Sequence, residues 1–243
     1  MLSKDEIRLY TRHLGIPSWG ASGQERLKKA RVFVAGAGGL GSPVLYYMAA
    51  SGVGNLVLCD CDRIDISNLN RQILHRFSRI GEPKSESARA SLQELNPFIS
   101  ITSIDKKINS KNAGDLVAGS DLIIDCLDNF KTRHVLNRAS VSLGIPMIHA
   151  GVSGFSGQMT FLHPPETPCL ACFLPETDSK KMNYITGPTP GVMGSLQAIE
   201  AIKYLTGIGD TLKNRMLFWD GLSMEFEIIS LKRNPGCKVC KNM

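Results

Sequence analysis

The sequence predicts an α/β protein whose sheet is doubly wound and mostly parallel, with an antiparallel extension toward its C-terminal end. Apolar strand-like segments alternate with helical segments up to residue 150, which is typical of strands joined by right-handed crossovers. These early segments lack the polar–apolar alternation of half-exposed strands, as expected where helices cover both faces of a sheet. Two late strand-like segments flank Asp220 and Gly221, which predicts a hairpin.

Each predicted element rests on a local pattern, beginning with a helix over Ser3–His13, where Ser3 and Glu6 have the spacing of a capping box. A proline in the first turn supports the helix over Pro83–Leu95, because a backbone N–H would have no helical partner there. Helical spacing marks Gly191–Thr206, where one face carries Val192, Leu196, Ile199, Ile202 and Leu205. The other predicted helices are Leu40–Ser51 and Lys131–Leu143. The predicted strands are Arg31–Ala35, Asn55–Asp60, Asp121–Cys126, Pro146–Ala150, Gln158–His163, Met216–Trp219 and Glu225–Leu231.

Composition and charge exclude several classes of protein. The 243 residues are 43% hydrophobic and 21% charged, which are ordinary globular values and exclude collagen-like, disordered and coiled-coil chains. The net charge of +6 is compatible with an anionic ligand, but the basic residues are scattered and do not favour a nucleic acid. No charged residue lies between Val32 and Cys59, yet several glycines and Pro43 interrupt this stretch, so we do not expect a membrane span. The N-terminal residues lack an apolar signal core, and we expect a soluble cytoplasmic protein.

A glycine-rich turn between the first strand and its helix predicts a Rossmann-like nucleotide site. The turn contains Gly36, Gly38, Gly39 and Gly41 in the pattern G-x-G-x-x-G, which lets backbone approach a phosphate or ribose closely. Asp60 ends the next strand, where a carboxylate accepts hydrogen bonds from ribose hydroxyls. This combination indicates an adenine nucleotide without distinguishing NAD from ATP, and an NAD-dependent dehydrogenase remains an alternative.

Polar residues that follow Asp60 favour a triphosphate. Arg71 offers a planar fork for phosphate oxygens, Lys84 places a point charge beside a helix start, and Asn68 and Gln72 add neutral donors. Each of these residue types alone is more often a solvated surface residue than a ligand-binding one. Their occurrence together after one ribose acid is what favours a triphosphate over a dinucleotide.

A further acid, Asp128, follows the buried strand that ends near Cys126, at the edge of the sheet where open α/β folds bind ligands. A carboxylate that faces phosphates is repelled unless a divalent cation lies between them, so Asp128 is a predicted Mg²⁺ ligand. The alternative is that Asp128 caps the helix that follows. Asp125 is expected to point to the other side of the strand and to be structural.

Four cysteines form two Cys-x-x-Cys pairs, Cys169 with Cys172 and Cys237 with Cys240. This is the pattern of a closed, tetrahedral structural Zn²⁺ site, with a redox pair as the alternative. The other cysteines, Cys59, Cys61 and Cys126, are expected to be small buried residues beside the sheet. No Ser/His or Cys/His nucleophile pattern is evident, and the scattered histidines are taken as structural or surface residues: His75, His134, His149 and His163.

Together these features resemble the HesA/MoeB/ThiF family, the prokaryotic relatives of ubiquitin-activating enzymes. The matching segments extend over nearly the whole chain: Tyr10–Leu14, the glycine turn, Asp60 with Asp62, Ser67–Gln72, Gly81–Lys84, Cys126–Asn129, both cysteine pairs and Gly191–Lys203. The resemblance implies one adenylation domain over 1–243. Its nucleotide-binding half is expected at 1–150, and the half with the carrier site, a crossover loop and the zinc site at 151–243.

The resemblance also implies roles for individual residues. Asp60 would bind the ribose, Asn68, Arg71 and Lys84 the phosphates, and Asp128 the Mg²⁺. Arg12 would reach the γ-phosphate bound by the neighbouring subunit of a homodimer, so that the expected catalytic residues are Arg12, Arg71, Lys84 and Asp128. The wider nucleotide site would include Gly36, Gly38, Gly39, Gly41, Asp62, Ser67, Leu69, Asn70, Gln72 and Asn129.

The implied activity is ATP-dependent adenylation of the C-terminal glycine of a β-grasp, ubiquitin-like sulfur carrier that ends in Gly-Gly. Such a carboxyl group has a pKa of about 3.3–3.7 and is already ionised, so its attack needs no general base. Some relatives use a cysteine before the last long helix, but this chain has none between Phe173 and Gly236. We therefore predict that the acyl-adenylate passes to an external sulfur donor, and that the loop Asp178–Pro190 guides the carrier's tail. A non-catalytic carrier-binding subunit remains a further alternative, and no motif distinguishes molybdopterin, thiamine, cysteine and tRNA thiolation pathways.

Overall fold

The structure, a computed structural model, describes residues 1–176 and 184–242 and contains an eight-stranded sheet. The strands are β1 (Arg31–Ala35), β2 (Asn55–Cys59), β3 (Ser100–Ile104), β4 (Leu122–Asp125), β5 (Met147–Ser153), β6 (Ser156–Leu162), β7 (Arg215–Asp220) and β8 (Glu225–Ser230). Their order in the sheet is β3-β2-β1-β4-β5-β6-β7-β8. The first five in this order are parallel, and the last three form an antiparallel extension of the same sheet. The predicted fold class is confirmed.

The helices are α1 (Lys4–Leu9), α2 (Thr11–Leu14), α3 (Gly20–Lys29), α4 (Gly41–Ser51), α5 (Lys84–Leu95), α6 (Ala113–Val117), α7 (Phe130–Leu143) and α8 (Pro188–Thr206). The predicted capping box is present, since the N–H of Glu6 donates to Ser3 Oγ at 3.2 Å and Ser3 N–H to the Glu6 carboxylate at 2.7 Å. The single helix expected over Ser3–His13 is wrong, because Tyr10 ends α1 and α2 begins at Thr11.

Helices cover both faces of the parallel strands. Along β1, Val32 and Val34 belong to one apolar core, while Phe33 and Ala35 belong to another on the opposite face, and all four are fully buried. Because both faces of these strands are buried, their sequences are continuous runs of apolar residues. Within the described chain no helix is long and apolar enough to cross a membrane, in agreement with the interpretation of 32–59 as strand, helix and strand.

Three elements were not predicted from the sequence, namely β3, α3 and α6. The edge strand β3 is only partly buried and mixes serine and threonine with isoleucine, so it lacks a continuous apolar run. The strands predicted over Pro146–Ala150 and Gln158–His163 extend further than expected, so that 151–157 forms the tip of the β5–β6 hairpin, which turns at Gly154 and Phe155.

The long helix α8 packs against the core through a wider face than the one predicted. Four of the five predicted residues are partly buried against the core, namely Val192, Leu196, Ile202 and Leu205. Ile199 is 54% exposed, whereas Met193, Ala198 and Ala201 are buried in the core. Gly194 lies so close to α4 that a Cβ at this position would come within 2.6 Å of the carbonyl oxygen of Leu40. Small residues therefore set this contact, and the large aliphatic side chains flank it. The crossover loop expected over Asp178–Pro190 lies outside the described residues as far as 183, and its last residues already belong to α8.

Candidate functional site

A cavity of about 910 Å³ opens at the carboxyl ends of the parallel strands. This is where ligands bind in open α/β sheets. Its wall brings together ten of the residues predicted for the nucleotide site: Gly36, Gly38, Gly39, Asp60, Asp62, Arg71, Gln72, Lys84, Asp128 and Asn129. It also includes residues of the β5–β6 hairpin, so segments from the parallel and the antiparallel parts of the sheet line one cavity.

The glycine turn has the conformation that its sequence predicts. Gly36 has a φ of +98°, and a Cβ there would lie 2.8 Å from the carbonyl oxygen of Cys126. Gly41 does not line the cavity; a Cβ at this position would collide with the carbonyl oxygen of Gly36. The first glycine therefore permits the backbone conformation and the last permits tight closure of the turn. Gly38 and Gly39 remain on the cavity wall.

Asp60 fixes this turn with its carboxylate. One oxygen accepts a hydrogen bond from the N–H of Ala37 at 2.8 Å, and the other accepts from the N–H of Asp62 at 2.8 Å. Burial raises the pKa of Asp60 above its usual value, while these two backbone hydrogen bonds act in the opposite direction. The residue predicted for the ribose thus already organises the backbone around the cavity.

His75 holds the same turn from the other side, a role that sequence reasoning missed. Its Nε2 donates to the carbonyl oxygen of Ala37 at 2.9 Å, and its Nδ1 lies 3.1 Å from Ser87 Oγ. The ring is 4% exposed. Since these contacts join residues that are far apart in the chain, no local motif predicts them.

The buried imidazole of His75 makes stability depend on pH. Burial lowers the pKa of His75 below 6.5, so on acidification the unfolded chain takes up a proton before the folded chain does. Stability from this group is present above about pH 6.5 and is lost below it, by up to about 1.4 kcal/mol per pH unit. We expect His75→Gln to lose less free energy of unfolding than the parent between pH 7.5 and 5.5 in urea titrations. Equal losses in both proteins would contradict this expectation.

The two predicted phosphate-binding cations lie on the cavity wall with defined partners. Lys84 is 6% exposed, and its Nζ lies 3.0 Å from the Asp62 carboxylate. Arg71 donates from Nη1 to the Ser67 carbonyl oxygen and to Asn70 Oδ1, both at 2.9 Å. Gln72 is 5% exposed, and its Oε1 has no hydrogen-bond partner among the described residues. The cavity wall also carries three basic residues that were not predicted, Lys106, Lys107 and Arg133.

Several residues predicted for the nucleotide site do not line this cavity. They are Arg12, Gly41, Ser67, Asn68, Leu69 and Asn70. The side chain of Asn68 instead closes a capping box with Asp65, whose N–H donates to Asn68 Oδ1 at 3.2 Å. Arg12 is exposed on α2. The motif Ser67–Gln72 therefore reaches the cavity through its last two residues.

Asp128 lies exposed at the cavity, on the turn between β4 and α7. The alternative that Asp128 caps α7 is wrong, because the N-cap is Asn129, whose Oδ1 accepts from the N–H of Thr132 at 2.9 Å. One Asp128 oxygen accepts a hydrogen bond from the Asn129 side chain at 3.2 Å. With capping assigned to its neighbour, Asp128 is available to a ligand in the cavity.

The four paired cysteines form one cluster, in which all Sγ atoms lie within 4.8 Å of one another. Individual separations are 4.0 Å for Cys169–Cys172, 3.7 Å for Cys169–Cys237 and 3.5 Å for Cys172–Cys240. Four sulfurs around Zn²⁺ at 2.3 Å would be about 3.8 Å apart, so the cluster matches a closed tetrahedral site. Of the other cysteines, Cys59 and Cys126 are buried as predicted, but Cys61 is exposed at the cavity rim, because it lies beyond the end of β2.

The sheet order, the cavity and the cysteine cluster together define a Rossmann-like α/β protein with an antiparallel extension. The chain belongs to the ThiF family, which residues 10–239 match.

Named relatives and solved structures support this assignment. The sulfur carrier protein adenylyltransferase of Thermus thermophilus is 40% identical over 249 residues, with 98% of this chain and 92% of the relative covered. The sulfur carrier protein ThiS adenylyltransferase of Escherichia coli is 40% identical over 245 residues, covering 99% of this chain and 97% of the relative. The crystal structure of E. coli MccB with MccA-N7isoASN superposes with a TM-score of 0.87 at 25% identity, over 98% of this chain and 75% of MccB. These matches extend over both the parallel and the antiparallel parts of the chain.

Proposed function

We propose that this protein is an adenylyltransferase that uses ATP to activate the C-terminal glycine of a small ubiquitin-like sulfur carrier. The observation that carries the proposal is a single cavity in which Arg71, Lys84 and Asp128 lie around the glycine turn. Two relatives named as sulfur carrier protein adenylyltransferases, at 40% identity over nearly the whole chain, support the reaction and the class of substrate.

The reaction joins two anions, and the cavity provides charges that reduce their repulsion. A carboxylate oxygen of the carrier attacks the α-phosphorus of ATP, the bond from that phosphorus to the bridging oxygen of pyrophosphate breaks, and pyrophosphate leaves. No proton is transferred, because the attacking carboxylate is already ionised at neutral pH. Arg71 and Lys84 stabilise phosphate charge, and the fixed cavity wall orients the two reactants. Asp60 would accept from the ribose hydroxyls beside the turn that it holds.

The exposed Asp128 carboxylate fits a Mg²⁺ ion, since its oxygens are hard ligands and capping of α7 is left to Asn129. When bound, this ion supplies charge neutralisation to the phosphates. The protein's part is to keep one carboxylate aimed at the cavity.

We further propose that the reaction on this chain stops at the acyl-adenylate, with sulfur supplied by another protein. No cysteine lies between Phe173 and Gly236. Cys61 does line the cavity, but partial desolvation at the cavity wall and the nearby carboxylates of Asp62 and Asp60 raise the pKa of this exposed thiol. A protonated thiol is a poor nucleophile, so Cys61 is not activated for thioester formation. A thiol-labile conjugate between the purified chain and the carrier would contradict this part of the proposal.

The cysteine cluster would hold Zn²⁺ as a structural ion, with no position left for water. It connects the segment after β6 to the C-terminal tail, and four free cysteines of this kind stay reduced in a reducing compartment such as the cytoplasm. We expect one zinc per chain by elemental analysis and less in Cys172→Ser. Loss of the ion should also lower Tm, by about 2–4 °C for each kcal/mol of stability lost in a chain of this size. The matched control, Cys61→Ser, is outside the cluster and should retain its zinc; equal zinc in both variants would contradict the assignment.

We propose a homodimer in which Arg12 acts on the ATP bound by the partner subunit. Arg12 is exposed and does not line the cavity of its own chain. Large apolar side chains are exposed on the segment next to Arg71, namely Ile66, Ile73, Phe77 and Ile80. Exposed large apolar side chains that are grouped along the chain in this way are typical of an interface between copies of a chain.

Pyrophosphate exchange tests the function. The chain is incubated with ATP, Mg²⁺, labelled pyrophosphate and a purified Gly-Gly-ending carrier, and incorporation of label into ATP is measured. We expect exchange with this carrier and none with a carrier that lacks its terminal glycine. Absence of exchange with carriers of the molybdopterin, thiamine, cysteine and tRNA thiolation pathways would contradict the proposal, and the active carrier would identify the pathway.

A further inference from the structure

A group of buried charged and polar side chains lies behind the turn that carries Asp128. Asp125, at the end of β4, is fully buried. His149 Nδ1 donates to Asp125 Oδ2 at 2.7 Å, and Nε of Arg133 lies 3.6 Å from the same oxygen. The backbone carbonyl of Asp125 accepts from Gln197 Nε2 at 3.0 Å, which ties this strand end to α8 as well.

This group holds the residue that precedes Asp128 by both of its backbone polar groups. The N–H of Leu127 donates to Asp125 Oδ1 at 3.0 Å. The carbonyl oxygen of Leu127 accepts from Nε of Arg133 at 3.2 Å and also from its Nη2. Since Asp125 belongs to β4 and Arg133 to α7, one ion pair connects the two elements between which Asp128 lies.

We propose that Arg133, supported by Asp125 and His149, is a positioning residue that fixes the backbone of the Asp128 turn. The inference rests on the proposed function, because it assigns the turn a task in nucleotide binding. Arg133 also lies on the cavity wall, but its Nε and Nη2 are directed to the Leu127 carbonyl oxygen, and its Nε also lies near the Asp125 carboxylate. The three side chains determine where the Asp128 carboxylate lies when ATP and Mg²⁺ enter.

Burying the ion pair between Asp125 and Arg133 costs free energy, and packing of the core alone does not explain why it is present. A buried ion pair loses the hydration of both charges, and apolar residues of similar volume would often serve stability as well or better. Burial lowers the pKa of His149, so the ring is neutral and contributes a hydrogen bond. Burial raises the pKa of Asp125, but Arg133 and His149 more than offset this and keep the carboxylate ionised. The guanidinium group of an arginine can contact the Asp125 carboxylate and the Leu127 carbonyl oxygen at the same time, whereas the ammonium group of a lysine does this less well.

Arg133→Lys is therefore the informative variant, since it keeps the positive charge beside Asp125 but removes the fork. We expect kcat for carrier-dependent exchange to fall about 100-fold with a much smaller change in KM for ATP. The Mg²⁺ concentration that gives half-maximal ATP binding in calorimetry should rise about tenfold, the usual effect of disturbing groups behind a metal ligand. AMP binding without Mg²⁺ should remain unchanged. The matched control, Arg89→Lys, alters an exposed ion pair on α5 outside the cavity and should match the parent in every assay.

Each other result has a defined meaning. A parent-like kcat and Mg²⁺ dependence in Arg133→Lys would overturn the proposal, and so would a loss of AMP binding in step with kcat, which would indicate general damage. If Arg133→Lys does not fold, His149→Asn replaces it, because a shorter donor weakens the hydrogen bond to Asp125. We then expect the Mg²⁺ concentration for half-maximal ATP binding to rise several-fold. An unchanged Mg²⁺ concentration would overturn the proposal. If neither variant folds, the group serves folding alone and the proposal is overturned. A parent without exchange activity refutes the proposed function, whereas the Mg²⁺ dependence of ATP binding still decides the role of Arg133.

Discussion

Replacing Asp128 with alanine is expected to lower carrier-dependent pyrophosphate exchange by about 100-fold to 1,000-fold, the usual effect of removing one group that stabilises a charged transition state. Asp128 lies exposed at the cavity and does not cap α7, so its carboxylate has no structural task comparable to that of Asn129. The loss should therefore appear in the reaction and in the Mg²⁺ dependence of ATP binding, while thermal stability changes little.

Asp115→Ala provides the matched control, because Asp115 is an exposed acid on α6 that does not line the cavity. Its exchange rate should equal that of the parent. If Asp128→Ala retains the parent's rate and Mg²⁺ dependence, the assignment of Asp128 to the nucleotide site is wrong. A comparable loss in both variants would instead indicate a general effect of charge.

Mixing two inactive variants is expected to restore activity if Arg12 acts across a dimer. Arg12→Ala and Asp128→Ala should each be inactive alone, since each dimer then lacks the same group at both sites. In a mixed dimer, one site combines Asp128 of one chain with Arg12 of the other. When subunits exchange freely, half of the dimers are mixed and each has one intact site, so the rate should reach roughly a quarter of the parent's.

The size of the assembly is measured in the same samples by sedimentation. Arg12→Ala mixed with an Arg12→Ala sample of the same concentration serves as the control and should stay inactive. A monomeric parent, or a mixture of exchanged dimers that stays inactive, would contradict the trans role of Arg12. An Arg12→Ala protein with full activity by itself would remove Arg12 from the mechanism.

The fold was largely predictable because its central strands are covered on both faces and carry continuous apolar runs. β1 and β4 are examples, and the capping box of α1 and the turn at Gly36 have local causes that the sequence shows directly. β3 was not predictable in this way, because an edge strand with one partner is only half buried. Most of the large aliphatic residues predicted for one face of α8 do pack against the core, but they do not reveal the close contact with α4 at Gly194.

The site shows the same division between local and distant causes. The residues on the cavity wall could be predicted because strand ends and helix starts come together at one edge of a parallel sheet. His75 and Arg133 could not, since their importance arises from hydrogen bonds to the backbone of Ala37 and Leu127. Almost every residue type offers the same backbone groups, so the sequence does not show which backbone a side chain will contact. Only the folded chain shows which histidine or arginine holds a turn.

Calorimetric titration of the cavity tests the central claim most directly, because it needs no knowledge of the carrier. ATP with Mg²⁺ should bind with saturable heat, and Lys84→Ala should weaken this binding strongly, since Lys84 is a buried cation on the cavity wall. NADH should give no comparable binding. Tight uptake of NADH together with no heat from ATP and Mg²⁺ would contradict the account and favour a dehydrogenase.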